Sequence, residues 1–129
     1  PLPARLAQLR RLSPALAGIH YARGTGRAHV QALRPLGSQC LGINWRHDLA
    51  LALTEQTPHW AVQGNIDPAW LHLPAPELEA RVRGVFEHVR ALPAAVRAAW
   101  VCGLGHGVLQ HTPEDNVRLV LRLQREMFQ

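Results

Sequence analysis

Ala98-Ala99-Trp100-Val101-Cys102-Gly103-Leu104-Gly105-His106-Gly107, running on through Val108-Leu109 to Thr112-Pro113-Glu114-Asp115-Asn116-Val117, is the stretch whose reading decides the fold. The apolar residues 98–102 read as a buried strand. Glycines just past a strand end let the backbone take positive φ or approach a neighbour closely. One imidazole, that of His106, stands among them. A helix start follows, with Thr112 as the expected N-cap, Pro113 at the first helical position and acidic residues in the first turn. The unit is strand, Gly-His-Gly loop, helix, and it presents a histidine to whatever lies above the strand end.

The same grammar repeats upstream. Leu6, Leu9 and Leu12 recur at helical spacing over residues 3–12, and Pro14 stops that helix. Ala15 to Tyr21 reads as a strand ending in the glycine turn Arg23-Gly24-Thr25-Gly26. Residues 27–36 form a weak helical pattern closed by Pro35 and Gly37. Cys40 to Ile43 is the second strand, followed by Asn44-Trp45-Arg46-His47-Asp48 and a Leu/Ala-rich helix over 48–56. Trp60 to Val62 is the third strand, followed by Gln63-Gly64-Asn65-Ile66-Asp67-Pro68. Residues 76–91 are amphipathic, with Leu78, Val82, Val85, Phe86 and Val89 on one face. The last helix spans 113–128 and carries Arg118, Arg122 and Arg125 on a solvated stripe.

The order αβαβαβαβα with short apolar strands implies a parallel sheet with crossover helices. In such folds ligands sit at the carboxyl ends of the strands. Four loops are therefore expected to converge there: Arg23–Gly26, Asn44–Asp48, Gln63–Pro68 and Gly103–His111. No repeat, linker or low-complexity segment divides the chain, so residues 1–129 read as one region.

Bulk properties bound the function. With 129 residues, 47% hydrophobic and 18% charged, the chain has a globular composition and not a disordered one. No apolar run approaches the roughly 18 residues of a membrane span, and no signal peptide shows. A cytoplasmic protein without a membrane partner is the expectation. The chain opens on Pro1 and not Met, so its natural start is expected upstream. The net charge is +5 and all 14 basic residues are arginine. They are dispersed and form no recognition motif, which argues against nucleic acid and fits an anionic small molecule. Cys40 and Cys102 read as small core residues in a reducing compartment, and the seven histidines other than His106 share no metal-ligand spacing.

The loop motifs carry a family resemblance. Gln63-Gly64-Asn65-Ile66-Asp67-Pro68, followed about forty residues later by Leu104-Gly105-His106-Gly107, resembles the end of uroporphyrinogen decarboxylase. Gly42-Ile43-Asn44-Trp45 is similar to that family's Gly-Leu-Asp-Trp, Tyr21-Ala22-Arg23-Gly24 to its Phe-Ala-Lys segment, and Thr112-Pro113-Glu114-Asp115-Asn116-Val117 to the start of its last helix. The likeness extends from about Ala15 to the end of the chain. Two positions depart from it: Asn44 stands where the family has aspartate, removing a charge, and Gly103 where it has asparagine.

The resemblance implies a (β/α)8 TIM barrel, which needs roughly 250 residues. The chain then supplies its C-terminal half, four parallel βα units. It implies decarboxylation of the four acetate side chains of uroporphyrinogen III to give coproporphyrinogen III, in heme biosynthesis, with no metal and no cofactor. An anionic tetrapyrrole would be the substrate and the full-length protein a homodimer. His106 is the residue that carries over, as catalytic proton donor or as a substrate-binding contact to a carboxylate. The carboxylate-binding arginines and the pyrrole-binding aspartate of the family belong to its N-terminal half, so the 129-residue chain alone is expected to be inactive.

The blander readings stand beside these. His106 could merely cap its loop. Gln63, Asn65 and Asp67 suit turn hydrogen bonding, with Pro68 opening a short helix. Arg23 and Arg46 suit a solvated surface, and Trp45, Trp60, Trp70 and Trp100 suit packing. Zinc- and cobalamin-dependent methyltransferases of the same superfamily are the rival enzyme class. Their zinc positions match Tyr21, Arg23 and His106 here, and two of these are not ordinary zinc ligands. A non-catalytic relic acting by binding or assembly is the third reading, since a half barrel leaves two sheet edges open.

Overall fold

The computed structural model describes residues 2–13, 17–21, 28, 39–57 and 59–129. The expected stop at Pro14, the start of the first strand, the Arg23–Gly26 turn and the helix over 27–36 with Pro35 and Gly37 lie outside them, residue 28 apart. The described elements run α1 (Leu2–Leu12), β1 (Ile19–Tyr21), β2 (Cys40–Gly42), α2 (Leu49–Gln56), β3 (Ala61–Gln63), a 3₁₀ turn (Pro68–His72), α3 (Ala75–Arg90), α4 (Ala94–Arg97), β4 (Trp100–Val101) and α5 (Glu114–Phe128).

The four strands form one sheet in the order β1-β2-β3-β4, and each neighbouring pair is parallel. Registers align His20, Leu41, Val62 and Trp100 in one row and Tyr21, Gly42, Gln63 and Val101 in the next. Side chains alternate faces along a strand, so these rows point to opposite sides of the sheet. The Leu41 row faces the helices: Leu41, Ile43, Leu53, Trp60 and Val62 form a buried cluster between the sheet and α2. The other face is open at its edges, with Ile19 55%, Tyr21 41% and Val101 40% exposed, while Cys40 and Gly42 on β2 between them are buried.

A second core lies between the 3₁₀ turn, α3 and α5. Ile66, Leu71, Leu78, Val82, Phe86, Leu119, Val120 and Leu123 fill it. The expected apolar face of α3 is this face: Leu78, Val82, Phe86 and Val89 are buried. Trp100 packs against both clusters. Its ring lies 5.7 Å from that of Phe86 and 5.3 Å from that of Phe128, and its indole N–H donates to the Gly64 carbonyl at 2.6 Å. Burying such rings against one another stabilises the junction of the two clusters.

Three expectations are corrected. The strand expected over 98–102 shrinks to Trp100–Val101, and Val101 is exposed. Ala94–Arg97 is a short helix to whose carbonyls the N–H groups of Ala98 (to Ala94) and Ala99 (to Val96) bond back, so the strand begins only at Trp100, although the Ala99 carbonyl still accepts the Val62 N–H of β3 at 2.8 Å. Thr112 does not cap α5: Pro113 holds that position, and the Thr112 hydroxyl donates to the Leu109 carbonyl at 2.7 Å. Trp45 is not core. It is 38% exposed, with the Arg46 guanidinium 4.4 Å above its ring.

Candidate active site

A parallel sheet puts the loops that follow its strands at one end. Three of the four expected loops are described there, and they are bonded to one another. The buried Asn65 side chain donates to the carbonyls of Asn44 (3.0 Å) and His47 (2.7 Å), tying the loop after β3 to the loop after β2. Asn44, also buried, accepts from the Arg46 N–H through its side-chain oxygen. Ile66 and Leu104 form a parallel bridge: the Ile66 N–H donates to the Gly103 carbonyl (3.1 Å), and the Gly105 N–H to the Ile66 carbonyl (2.8 Å). Asp67 receives the Ala69 N–H and opens the 3₁₀ turn at Pro68. Asn65 and Asp67 thus act on backbone, as turn chemistry suggests, but Asn65 braces a neighbouring loop and not its own turn.

The glycines differ in what they do. Gly64 has φ of +126°, and a Cβ there would lie 2.8 Å from the Ile43 carbonyl oxygen. Its peptide bond to Asn65 is cis. None of Gly103, Gly105 and Gly107 takes positive φ. Gly105 is instead a close-approach residue: a Cβ would strike the Trp45 backbone nitrogen and stand 2.9 Å from Trp45 Cα. A Cβ at Gly107 would meet nothing within 4 Å.

His106 sits at the top of this assembly, half-buried. Its Nδ1 lies 2.7 Å from the Gly107 carbonyl oxygen. A carbonyl can only accept, so Nδ1 carries the proton, and Nε2 is left as the nitrogen that can exchange one with a ligand. Tyr21, at the end of β1, donates its hydroxyl to the Gly105 carbonyl at 2.8 Å. Nothing in the sequence pattern pointed to that bond, which joins residues 84 positions apart. Arg46 is exposed over Trp45, and Arg23 lies outside the described residues. A separate groove of about 440 Å³ on the helix flank gathers Trp45, Asp48, Asn65, Asp67, Trp70 and His88, without His106.

The thiols are unsuited to nucleophilic work. Both are free; burial pushes the Cys102 thiol up to about 11 and raises that of Cys40 as well, against a weaker lowering by a backbone hydrogen bond at Gln63. Among the described residues no three His, Cys, Asp or Glu side chains are grouped to hold a metal ion, and no helix is long and apolar enough to cross a membrane.

The family model described as "Uroporphyrinogen decarboxylase (URO-D)" matches residues 2–127. The uroporphyrinogen decarboxylase of Pelobacter propionicus is 35% identical over 104 residues, covering 81% of this chain and 29% of the relative. That of Salinispora tropica is 38% identical over 109 residues (84% and 28%), and that of Mycolicibacterium smegmatis 40% over 104 residues (76% and 30%). The chain therefore spans less than a third of the length of these curated relatives. The chain belongs to the uroporphyrinogen decarboxylase family.

Proposed function

We propose that residues 1–129 form one region, the C-terminal four βα units of a (β/α)8 barrel, in a protein that decarboxylates uroporphyrinogen III to coproporphyrinogen III. Family membership supports the reaction class, and the parallel sheet with bonded loops at its carboxyl end supports the placement. The observation that carries the site is His106: a half-buried imidazole on a loop fixed at that end, with Nδ1 committed and Nε2 free to act.

Each turnover replaces a side-chain acetate by methyl. Protonation of the pyrrole makes the ring an electron sink; the C–C bond to the carboxylate breaks, carbon dioxide leaves, and the electron pair enters the ring. A proton must then return to the methylene carbon, and the proton first added to the ring must leave to restore the neutral pyrrole, so that one proton is consumed for each carbon dioxide released. An imidazole suits proton exchange near neutrality, and its cationic form also suits a carboxylate contact. A net charge of +5 favours a polyanionic substrate. The groups that hold the pyrrole nitrogens and most carboxylates belong to the rest of the barrel, so the 129-residue chain alone is expected to give no turnover. The full-length protein is expected to act as a cytoplasmic homodimer.

The test is His106→Gln in the full-length protein, assayed on uroporphyrinogen III. A proton-transfer role predicts a kcat loss of about a hundredfold or more. A carboxylate contact predicts the loss in KM instead. Unchanged kcat and KM would remove His106 from the site.

A further inference from the structure

We propose that Tyr21 is the positioning residue for His106, acting through the hydrogen bond from its phenol to the Gly105 carbonyl. This rests on the reading of His106 given above.

The loop that carries His106 contains three glycines in five residues, and none of them needs a left-handed conformation. Glycine backbone is the least restricted of any residue, so such a loop holds an imidazole in place only if contacts remove that freedom. Those contacts converge on Gly105. Its N–H donates to Ile66 (2.8 Å), its Cα lies against the Trp45 backbone, and its carbonyl accepts from Tyr21 (2.8 Å). The first two fix the glycine from the loops after β3 and β2. The third is the one side-chain bond among them, and it fixes the orientation of the peptide that leads directly into His106. On the far side, Nδ1 is bonded only to the next residue's carbonyl, which moves with the loop.

The route of Tyr21 is built into the sheet. Tyr21 pairs with Gly42 on β2, and a Cβ at 42 would lie 3.0 Å from Tyr21 Cδ2. The absent side chain at Gly42 lets the ring lie over β2, toward the place where the β4 loop folds back over Trp45. Strands stand about 4.8 Å apart, so a tyrosine on β1 could not span a flat sheet to β4. It reaches Gly105 because that loop returns across the ends of β3 and β2. The ring remains 41% exposed on the open face, so burial alone does not hold it there; the hydroxyl bond does.

The experiment uses the full-length protein with Tyr21→Phe, His106→Gln and the double variant, and two readouts. Amide hydrogen exchange over residues 103–107 should rise in Tyr21→Phe while exchange in β2 and β3 stays unchanged. The rate on uroporphyrinogen III should fall about fivefold, as loss of one neutral hydrogen bond predicts. The loss should fall on the same parameter, kcat or KM, that His106→Gln moves. In the His106→Gln background, Tyr21→Phe should cost nothing further, because a residue acting through His106 has nothing left to position. Unchanged exchange overturns the tether. Raised exchange with an unchanged rate, or an equal loss in both backgrounds, overturns the positioning role. If His106→Gln itself leaves the rate intact, the reading of His106 fails and the positioning role with it, while exchange still reports on the tether. Gly103→Ala supplies a second check: its Cβ would meet only ordinary contacts, the nearest being Gln63 Cγ at 3.4 Å, and by restricting the loop it should recover part of the Tyr21→Phe loss.

Discussion

Gly105→Ala separates close packing from loop flexibility as the reason for the Gly-His-Gly motif. The added methyl would overlap the Trp45 backbone nitrogen and lie 2.9 Å from both Trp45 Cα and Cβ. Side chains can yield to such a clash by changing rotamer, but this neighbour is main chain, and Asn65 braces it through the carbonyls of Asn44 and His47. Overpacking of this kind costs about 1–3 kcal/mol. Moving Gly105 away would also lengthen two 2.8 Å hydrogen bonds, to Ile66 and from Tyr21. Each is worth about 1 kcal/mol. The sum is about 3–5 kcal/mol. The assay is urea unfolding of the full-length protein, with Gly107→Ala as the internal control. A methyl at Gly107 meets nothing, so that variant should fall within about 0.5 kcal/mol of the parent. A Gly105→Ala midpoint equal to the parent's, or a Gly107→Ala midpoint lowered as far, would refute the packing argument.

Gly84→Ala, inside the exposed surface of α3 with nothing within 4 Å of the new methyl, should stabilise by about 0.5–1 kcal/mol; a lowered urea midpoint would count against the helix as placed. Cys102 should react with a disulfide reagent at pH 8 about a hundredfold more slowly than an ordinary thiol, because burial lifts its pKa from 9.0 to about 11 and leaves little thiolate. The same shift has a sign for stability. Between about 9 and 11 the unfolded chain has lost this proton and the folded chain has not, so stability should fall as pH rises through that window. Flat stability from pH 8 to 11 would show that Cys102 is solvated.

Much of the architecture was legible in the chain because periodicity and punctuation are local. The spacing of Leu78, Val82, Phe86 and Val89 sufficed for α3, and all four are buried on one face. Alternation of short apolar runs with helices sufficed for a parallel order, and the loop motifs sufficed for the family. Where the reading erred, a short apolar segment admitted two answers. Ala94 to Val101 holds a helical turn and a two-residue strand that no period can separate. Thr112 and Pro113 both suit a helix start, and the choice went to Pro113 because the Thr112 hydroxyl found the Leu109 carbonyl and stands 3.1 Å from His72.

The candidate site divides the same way. That His106 is the residue to test could be read from its place between glycines after a strand. What holds it could not. The Tyr21–Gly105 bond spans 84 residues, Asn65 reaches the Asn44 carbonyl across 21, and Gly105 is glycine because of the Trp45 backbone. Sequence determines which backbone conformations and faces are favoured over a turn or two of chain. Which loops meet is decided by strand register and by close packing between distant segments, and those contacts exist only once the sheet has formed.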